Sequence, residues 1–293
     1  MKKYPMMKKI LSLFILLAIL SGCQQKEQAK STTMFDKENL IAWCIVPFDA
    51  KGRSPKERAD MLDELGISKL AYDYRDEHLP SFIEEIGVLE EHGIDLSAVW
   101  FWVRGDSNGL LDSSNEFILE SLEKKGTRTE LWVSFPDTYY DGNTDAESLQ
   151  KAIDAVREIL ERVEEIGCTL ALYNHGGWFG ESENLVRIIE AIDSDKIKIV
   201  YNFHHGHHRI DHFREDFTRM MPYLSTVNIN GMRKEGPKII TLGQGDQELN
   251  MLKVIKESGY TGPVGILGHT EGEDIKVVLK RNLEGLGQLK ESL

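Results

Sequence analysis

The chain has 293 residues, 41% of them hydrophobic, and a formal charge of −13 at neutral pH. That composition supplies a large core, while so acidic a balance with no Lys/Arg stripe excludes a nucleic-acid partner. With three cysteines, Cys23, Cys44 and Cys168, it is not a disulfide-framed scaffold either.

In chain order, Lys2, Lys3, Lys8 and Lys9 precede an apolar run from Ile10 to Leu20 that is too short to cross a bilayer as a helix. The run ends in "LSGC", which resembles the lipobox of bacterial lipoproteins and marks Cys23 for lipidation. Residues 1–22 read as a signal peptide and 23–37 as the lipidated cysteine and its linker. Residues 38–293 form the body, exported and membrane-anchored, at the periplasm or the cell surface. Several acyl chains on one residue exceed the single-chain limit for lasting attachment. Losing the signal removes four lysines and no acids, so the charge moves from −13 to −17. Cys44 and Cys168 lie in apolar surroundings and read as buried thiols.

Eight apolar runs alternate with amphipathic helical patterns over the body. They are 40–47, 68–74, 96–103, 130–136, 169–175, 197–204, 225–231 and 263–269. Continuous rather than alternating hydrophobicity is what a parallel sheet covered on both faces needs. Helix signals fall between them, such as Ser54 as N-cap, Pro55 at the first helical position and Gly66 as terminator. The helix beginning "DAESLQ" repeats apolar residues from Leu149 to Val163 and stops at Gly167. Eight β–α units in one uninterrupted domain predict an α/β fold, a (β/α)8 TIM barrel. A doubly wound open sheet is the alternative, but no Gly-rich phosphate turn follows the first strand.

In such a barrel the active groups gather where the strands end. The inventory there is Trp43, Asp73, Arg75, Trp100, Trp102, Arg104, Ser134, Asp137, Tyr173, Asn174, His175 and Trp178. Asn202, His204, His205, His207, Asn228, Asn230, His269 and Glu271 complete it. The stretch "FHHGHHRIDH" puts five of the nine histidines between His204 and His212. Imidazole titrates near neutral pH, so this density suits proton transfer or metal binding. Trp178, among loop glycines, suits stacking on a sugar face. Asn174, Asn202, Asn228 and Asn230 can donate to and accept from hydroxyls. The bland alternatives are that the tryptophans fill the barrel, the carboxamides satisfy backbone, and His207, His208 and His212 are solvated.

The segments "LALYNHGGWFG", "VYNFHHGH", "STVNING" and "LGQGDQELNMLKVIKESGYTGPVGI" resemble the sugar phosphate isomerase/epimerase family, the xylose isomerase-like TIM barrels. The likeness implies a divalent metal held by acidic and histidine side chains, with two glutamates shuttling a proton beside a carbonyl. Carried over by position, those ligands fall at Tyr173, Asn202, Asn228 and near Leu267, none suited to a hard cation. The resemblance retains His205 as a substrate contact and His175 in its Glu-Asn-His-type segment. If a metal is bound, its ligands come from His175, His205, His207 and His269.

The expected function is therefore sugar isomerase or epimerase chemistry by proton abstraction next to a carbonyl. His175, His205 and His269 are the catalytic candidates. Tyr173, Asn174, Trp178, Asn202, His204, Asn228 and Asn230 would bind substrate, and Arg104 would stabilise the enolate oxygen. Export and the net charge argue for a neutral sugar or keto-sugar over a sugar phosphate. The alternatives are a sugar-binding lipoprotein without catalysis, and a keto-glycoside lyase or hydrolase. The endonuclease IV type shares the barrel but fails on charge, location and its zinc ligands.

Overall fold

The computed structural model describes residues 34–107 and 109–293; the signal, Cys23 and most of the linker lie outside them. Eight parallel strands close in sequence order: β1 Leu40–Trp43, β2 Lys69–Tyr72, β3 Asp95–Trp102, β4 Glu130–Ser134, β5 Thr169–Tyr173, β6 Ile197–Asn202, β7 Leu224–Ile229 and β8 Val264–Leu267. β1 pairs β8 from Leu40↔Val264 to Trp43↔Leu267, which seals the cylinder. The helices are α1 Pro55–Leu65, α2 Phe82–His92, α3 Ser113–Lys125, α4 Asp145–Glu165, α5 Ser182–Ile192, α6 Phe213–Met220, α7 Glu248–Glu257 and α8 Ile275–Lys290. The fold is a (β/α)8 barrel, as the alternation predicts.

The punctuation works as the side chains dictate. Ser54 caps α1 in a reciprocal box with Glu57, and Gly66 ends it in the left-handed conformation (φ 69°). Thr144 and Glu147 form the same box on α4. Arg58 on α1 donates two buried hydrogen bonds to the Glu85 carboxylate on α2, at 3.0 and 3.1 Å, pinning neighbouring helices. Such a pair is costly to break from one side, on the order of 3–5 kcal/mol.

Every strand stops one to four residues short of its apolar run. Cys44 leaves β1 with φ 55°, a left-handed conformation rare for a residue with a side chain. After β5 the His175 amide donates back to the Tyr173 carbonyl at 2.6 Å, and Gly176 and Gly177 follow at φ 42° and 60°. A Cβ on Gly177 would lie 2.6 Å from the Asp137 carbonyl oxygen, so only glycine closes this turn. After β6 the chain enters short 3₁₀ turns over Phe203–His212, interrupted at Arg209. The residues left beyond the strands are the ones that meet at the barrel mouth.

Candidate active site

A cavity of about 90 Å³ opens at the C-terminal mouth. Trp43, Cys44 and Phe48 come from β1 and its loop, Arg75 from the end of β2 and Trp100 from β3. Tyr173 and His175 end β5, His204 and His205 follow β6, and His269 follows β8. The imidazoles form a chain across the opening. Ring centroids are 4.6 Å apart for His175 and His205, 3.9 Å for His205 and His204, and 5.9 Å for His204 and His269. Aromatic rings wall both ends, with Trp102 5.1 Å from His175 and Phe48 3.8 Å from His269. Gly206 makes the β6 loop possible, because a Cβ there would sit 1.9 Å from the Tyr201 hydroxyl.

Burial sets the chemistry. It pulls all four imidazoles below their ordinary value, and does so strongly for His204 and His205, whose neighbouring histidines lower them further. Asp137 partly offsets the effect at His175, and Glu271 does so at His269. Neutral imidazole is therefore the resting form at pH 7, ready to accept a proton or to donate a hydrogen bond without carrying charge. The Nδ1 atoms of His175 and His204 have no protein partner. Asp137 approaches His175 Nδ1 only to 3.8 Å, beyond hydrogen-bond reach. Behind Cys44, burial pushes the Asp73 carboxyl up to about 6, and burial beside Asp73 raises the Cys44 thiol well above its ordinary value. Asp73 Oδ1 accepts from the Val46 amide at 3.3 Å, while Oδ2 has no partner.

The expected substrate-binding groups divide. Tyr173 and His204 line the cavity. Asn174 does not: its side chain clamps β5 to β6, accepting from the Asn202 amide at 2.7 Å and donating to the Asn202 carbonyl at 3.1 Å. Asn202 donates to the Tyr173 hydroxyl at 2.8 Å and so orients that phenol from below. Asn228 is fully buried inside the barrel beside Gly265, with both amide atoms unpartnered. Asn230 donates to the carbonyls of Gly231 and Lys238, bracing the loop after β7. Trp178 turns outward, donating to Asp145 Oδ1 at 3.0 Å and packing 5.2 Å from Tyr140, so it offers no stacking face in this cavity.

Arg104 is held by Asp112 at 3.0 Å, with Asp76 at 3.6 Å, and lies outside the lining. Arg75 stands at the cavity instead, its guanidinium 5.4 Å from the Phe48 ring and 5.6 Å from Trp100. Cys44 and Phe48 are the lining residues absent from the sequence inventory, and Arg75 stood in that inventory without a role. Their signal was position just past a strand, which β1 and β2 conceal inside longer apolar runs.

The implied metal does not fit these residues. The hard-cation positions carry Tyr173, Asn202, Asn228 and Leu267, which bring no carboxylate. His207 is drawn away, its Nε2 2.8 Å from the Arg233 carbonyl, which leaves His175, His205 and His269 of the expected ligands at the cavity. Among the described residues no group of three or more His, Cys, Asp or Glu is arranged to hold an ion. His208 pairs with Glu181 at 2.8 Å and His212 lies 3.8 Å from Glu215, both outside the cavity.

Residues 7–24 match the prokaryotic membrane lipoprotein lipid attachment site, in keeping with Cys23 as the lipid-bearing residue. No curated protein matches the chain. Among solved structures, the apo 3-keto-D-glucoside 4-epimerase YcjR from E. coli superposes with a TM-score of 0.65 at 17% identity, covering 87% of this chain and 99% of that one. D-psicose 3-epimerase with D-tagatose, from Clostridium cellulolyticum H10, gives 0.61 at 15% identity, covering 86% and 98%. The probable 3-DHS dehydratase AsbF from Bacillus anthracis gives 0.63 at 15%, covering 85% and 98%. At such identities the superpositions establish the fold alone. Residues 125–286 match the family model itself, and the chain belongs to the xylose isomerase-like TIM barrel family.

Proposed function

We propose that this lipoprotein, held at the periplasmic or outer face of a bacterial membrane, is an isomerase or epimerase of keto-sugars that uses imidazole in place of metal-bound carboxylates. One observation carries the reading: four neutral histidines meet around a small cavity whose lining holds no carboxylate. The sugar epimerases among the superposed structures support the substrate class.

His175 takes the proton from the carbon next to the carbonyl. Its neighbour His205, with the ring 4.6 Å away, donates a hydrogen bond from its neutral N–H to the oxygen where charge develops. Arg75 adds a fixed positive charge at the same mouth. For isomerisation the His175 imidazolium returns the proton to the former carbonyl carbon while the adjacent hydroxyl proton passes to the enolate oxygen. For epimerisation the intermediate turns and the same imidazolium protonates the other face of the original carbon. For elimination the enolate re-forms the carbonyl, its carbon–carbon electrons make the new double bond, and the β-substituent leaves with its bonding pair and takes the imidazolium proton. His269 faces the pair from β8 and can bind a hydroxyl or exchange its proton. The cavity is walled by Trp43, Trp100 and Phe48, which exclude water from the carbanionic intermediate.

A second reading, sugar binding without catalysis, draws on the replacement of all four inherited ligand positions. Full-length protein in detergent, incubated with 3-keto-glycosides and ketoses in D2O, separates the two. The expected result is deuterium at the carbon next to the carbonyl, lost in His175→Ala and in His205→Ala. Binding without exchange establishes the second reading and removes the first.

A further inference from the structure

The charge of the whole chain points to a neutral ligand; the charges at the cavity point the other way. Arg75 is exposed at the mouth and, like Arg128, Arg157 and Arg233, has no carboxylate partner among the described residues, but of these four it alone lines the cavity. Its Nη1 donates to the Tyr74 carbonyl at 2.7 Å, and the rings of Phe48 and Trp100 flank it. That leaves a planar fork steadied on apolar surface with donor capacity unspent. Lys238, exposed and without a carboxylate partner among the described residues, lies outside the cavity lining. Its backbone carbonyl accepts from the buried Asn230 side chain at 2.9 Å, which ties the Lys238 segment to the end of β7. From there the ammonium disfavours protonation of all four cavity histidines. Of the nearby acids, buried Asp73 feels the Arg75 charge and exposed Asp76 and Glu77 follow Arg75 in the chain, yet none of the three forms an ion pair with its guanidinium; Asp137 offsets the shift at His175 and Glu271 that at His269.

We propose that the sugar taken by this site carries a carboxylate, a uronate or related sugar acid, bound by the Arg75 fork at the cavity wall. A single fork matches the two oxygens of a carboxylate, and Arg75, the one arginine or lysine in the lining, balances one negative charge better than two. The inference rests on the sugar reading above and adds the functional group that selects among sugars.

The test is calorimetric titration of the full-length protein in detergent at pH 7 with matched ligands. The pairs are D-glucuronate against D-glucose and D-galacturonate against D-galactose, with glucose 6-phosphate as the dianion. Uronates are expected to bind about tenfold tighter than their neutral partners, as a charge-assisted hydrogen bond allows. The preference should shrink with added salt and fall toward one in Arg75→Met, an exposed position whose loss leaves the core intact. Arg75→Lys should restore part of it. Equal binding of neutral and acidic sugars, tighter binding of the phosphate, binding of none, or a preference untouched by Arg75→Met overturns the inference. Histidine-dependent exchange on neutral keto-sugars with no acid preference would remove only this inference. Uronate binding without exchange on any keto-sugar, keto-uronates included, would remove catalysis and keep it.

Discussion

The two ends of the barrel treat buried polar groups in opposite ways. At the N-terminal end Glu130 is enclosed between strands, yet it accepts from Trp132 Nε1 at 2.7 Å and from Ser225 Oγ at 2.8 Å, and Thr129 donates to the Leu96 carbonyl. Burial raises the Glu130 carboxyl, and those donors offset the rise only in part. Toward the C-terminal mouth His175 Nδ1, His204 Nδ1 and Asp73 Oδ2 go without protein partners. Leaving a buried polar atom unpaired costs on the order of 1–3 kcal/mol, so one end is built for stability and the other holds groups in reserve. The difference agrees with a site at the C-terminal mouth.

The sharpest way to break that contrast is to remove chemistry from the mouth. His175→Ala and His205→Ala should each cut the exchange rate about 10²-fold or more while moving the melting temperature little, as loss of a general acid or base predicts. Unchanged exchange in either variant would detach the imidazoles from function. At the other end, Glu130→Ala strands Trp132 Nε1 and Ser225 Oγ and should cost about 1–3 kcal/mol in urea unfolding, with the mouth's ligand preference retained.

Proton linkage distinguishes the ends further. Because burial lifts the folded Asp73 carboxyl to about 6, its favourable neutral state is fully available below the unfolded pKa and is lost as pH rises through that value. Asp73→Asn should therefore gain on the order of 1–2 kcal/mol at pH 8 and little at pH 4 in paired thermal melts. The imidazoles run the other way. His204 and His205 resist protonation when folded, so the unfolded chain takes up protons first and stability declines as pH falls below the ordinary histidine value of 6.5. The smallest effect should come from Arg104→Ala. Its pairing with Asp112 is half exposed, so its loss is expected to cost less than about 1 kcal/mol and leave ligand affinity alone. A large loss of affinity would return Arg104 to the site.

The comparison between Arg75 and Arg104 also shows where reading residues along the chain stops. Both follow a strand end by a few positions, and nothing local separates them. Asp112, eight residues beyond Arg104, claims one, while Phe48 and Trp100, from other strands and loops, cradle the other. The carboxamides teach the same point. Their residue type was visible, but Asn174 spends both ends of its amide on β6, and only the pairing of β5 with β6 decides that. Trp178 looked like a sugar platform because glycines surround it, yet Asp145 on α4 draws its indole outward.

What the amino-acid order determined by itself was the barrel: eight continuous apolar runs, capped helices between them and glycines at the turns leave few other ways to bury that surface. It also determined the lipid-attachment signal and the concentration of histidine after β6. Tertiary structure decided which of those side chains share a cavity and which are consumed by neighbours. The physical reason is range. Strand and helix formation follows from contacts a few residues apart, whereas the facing of a side chain depends on partners brought in by closure of the sheet, from Cys44 to His269.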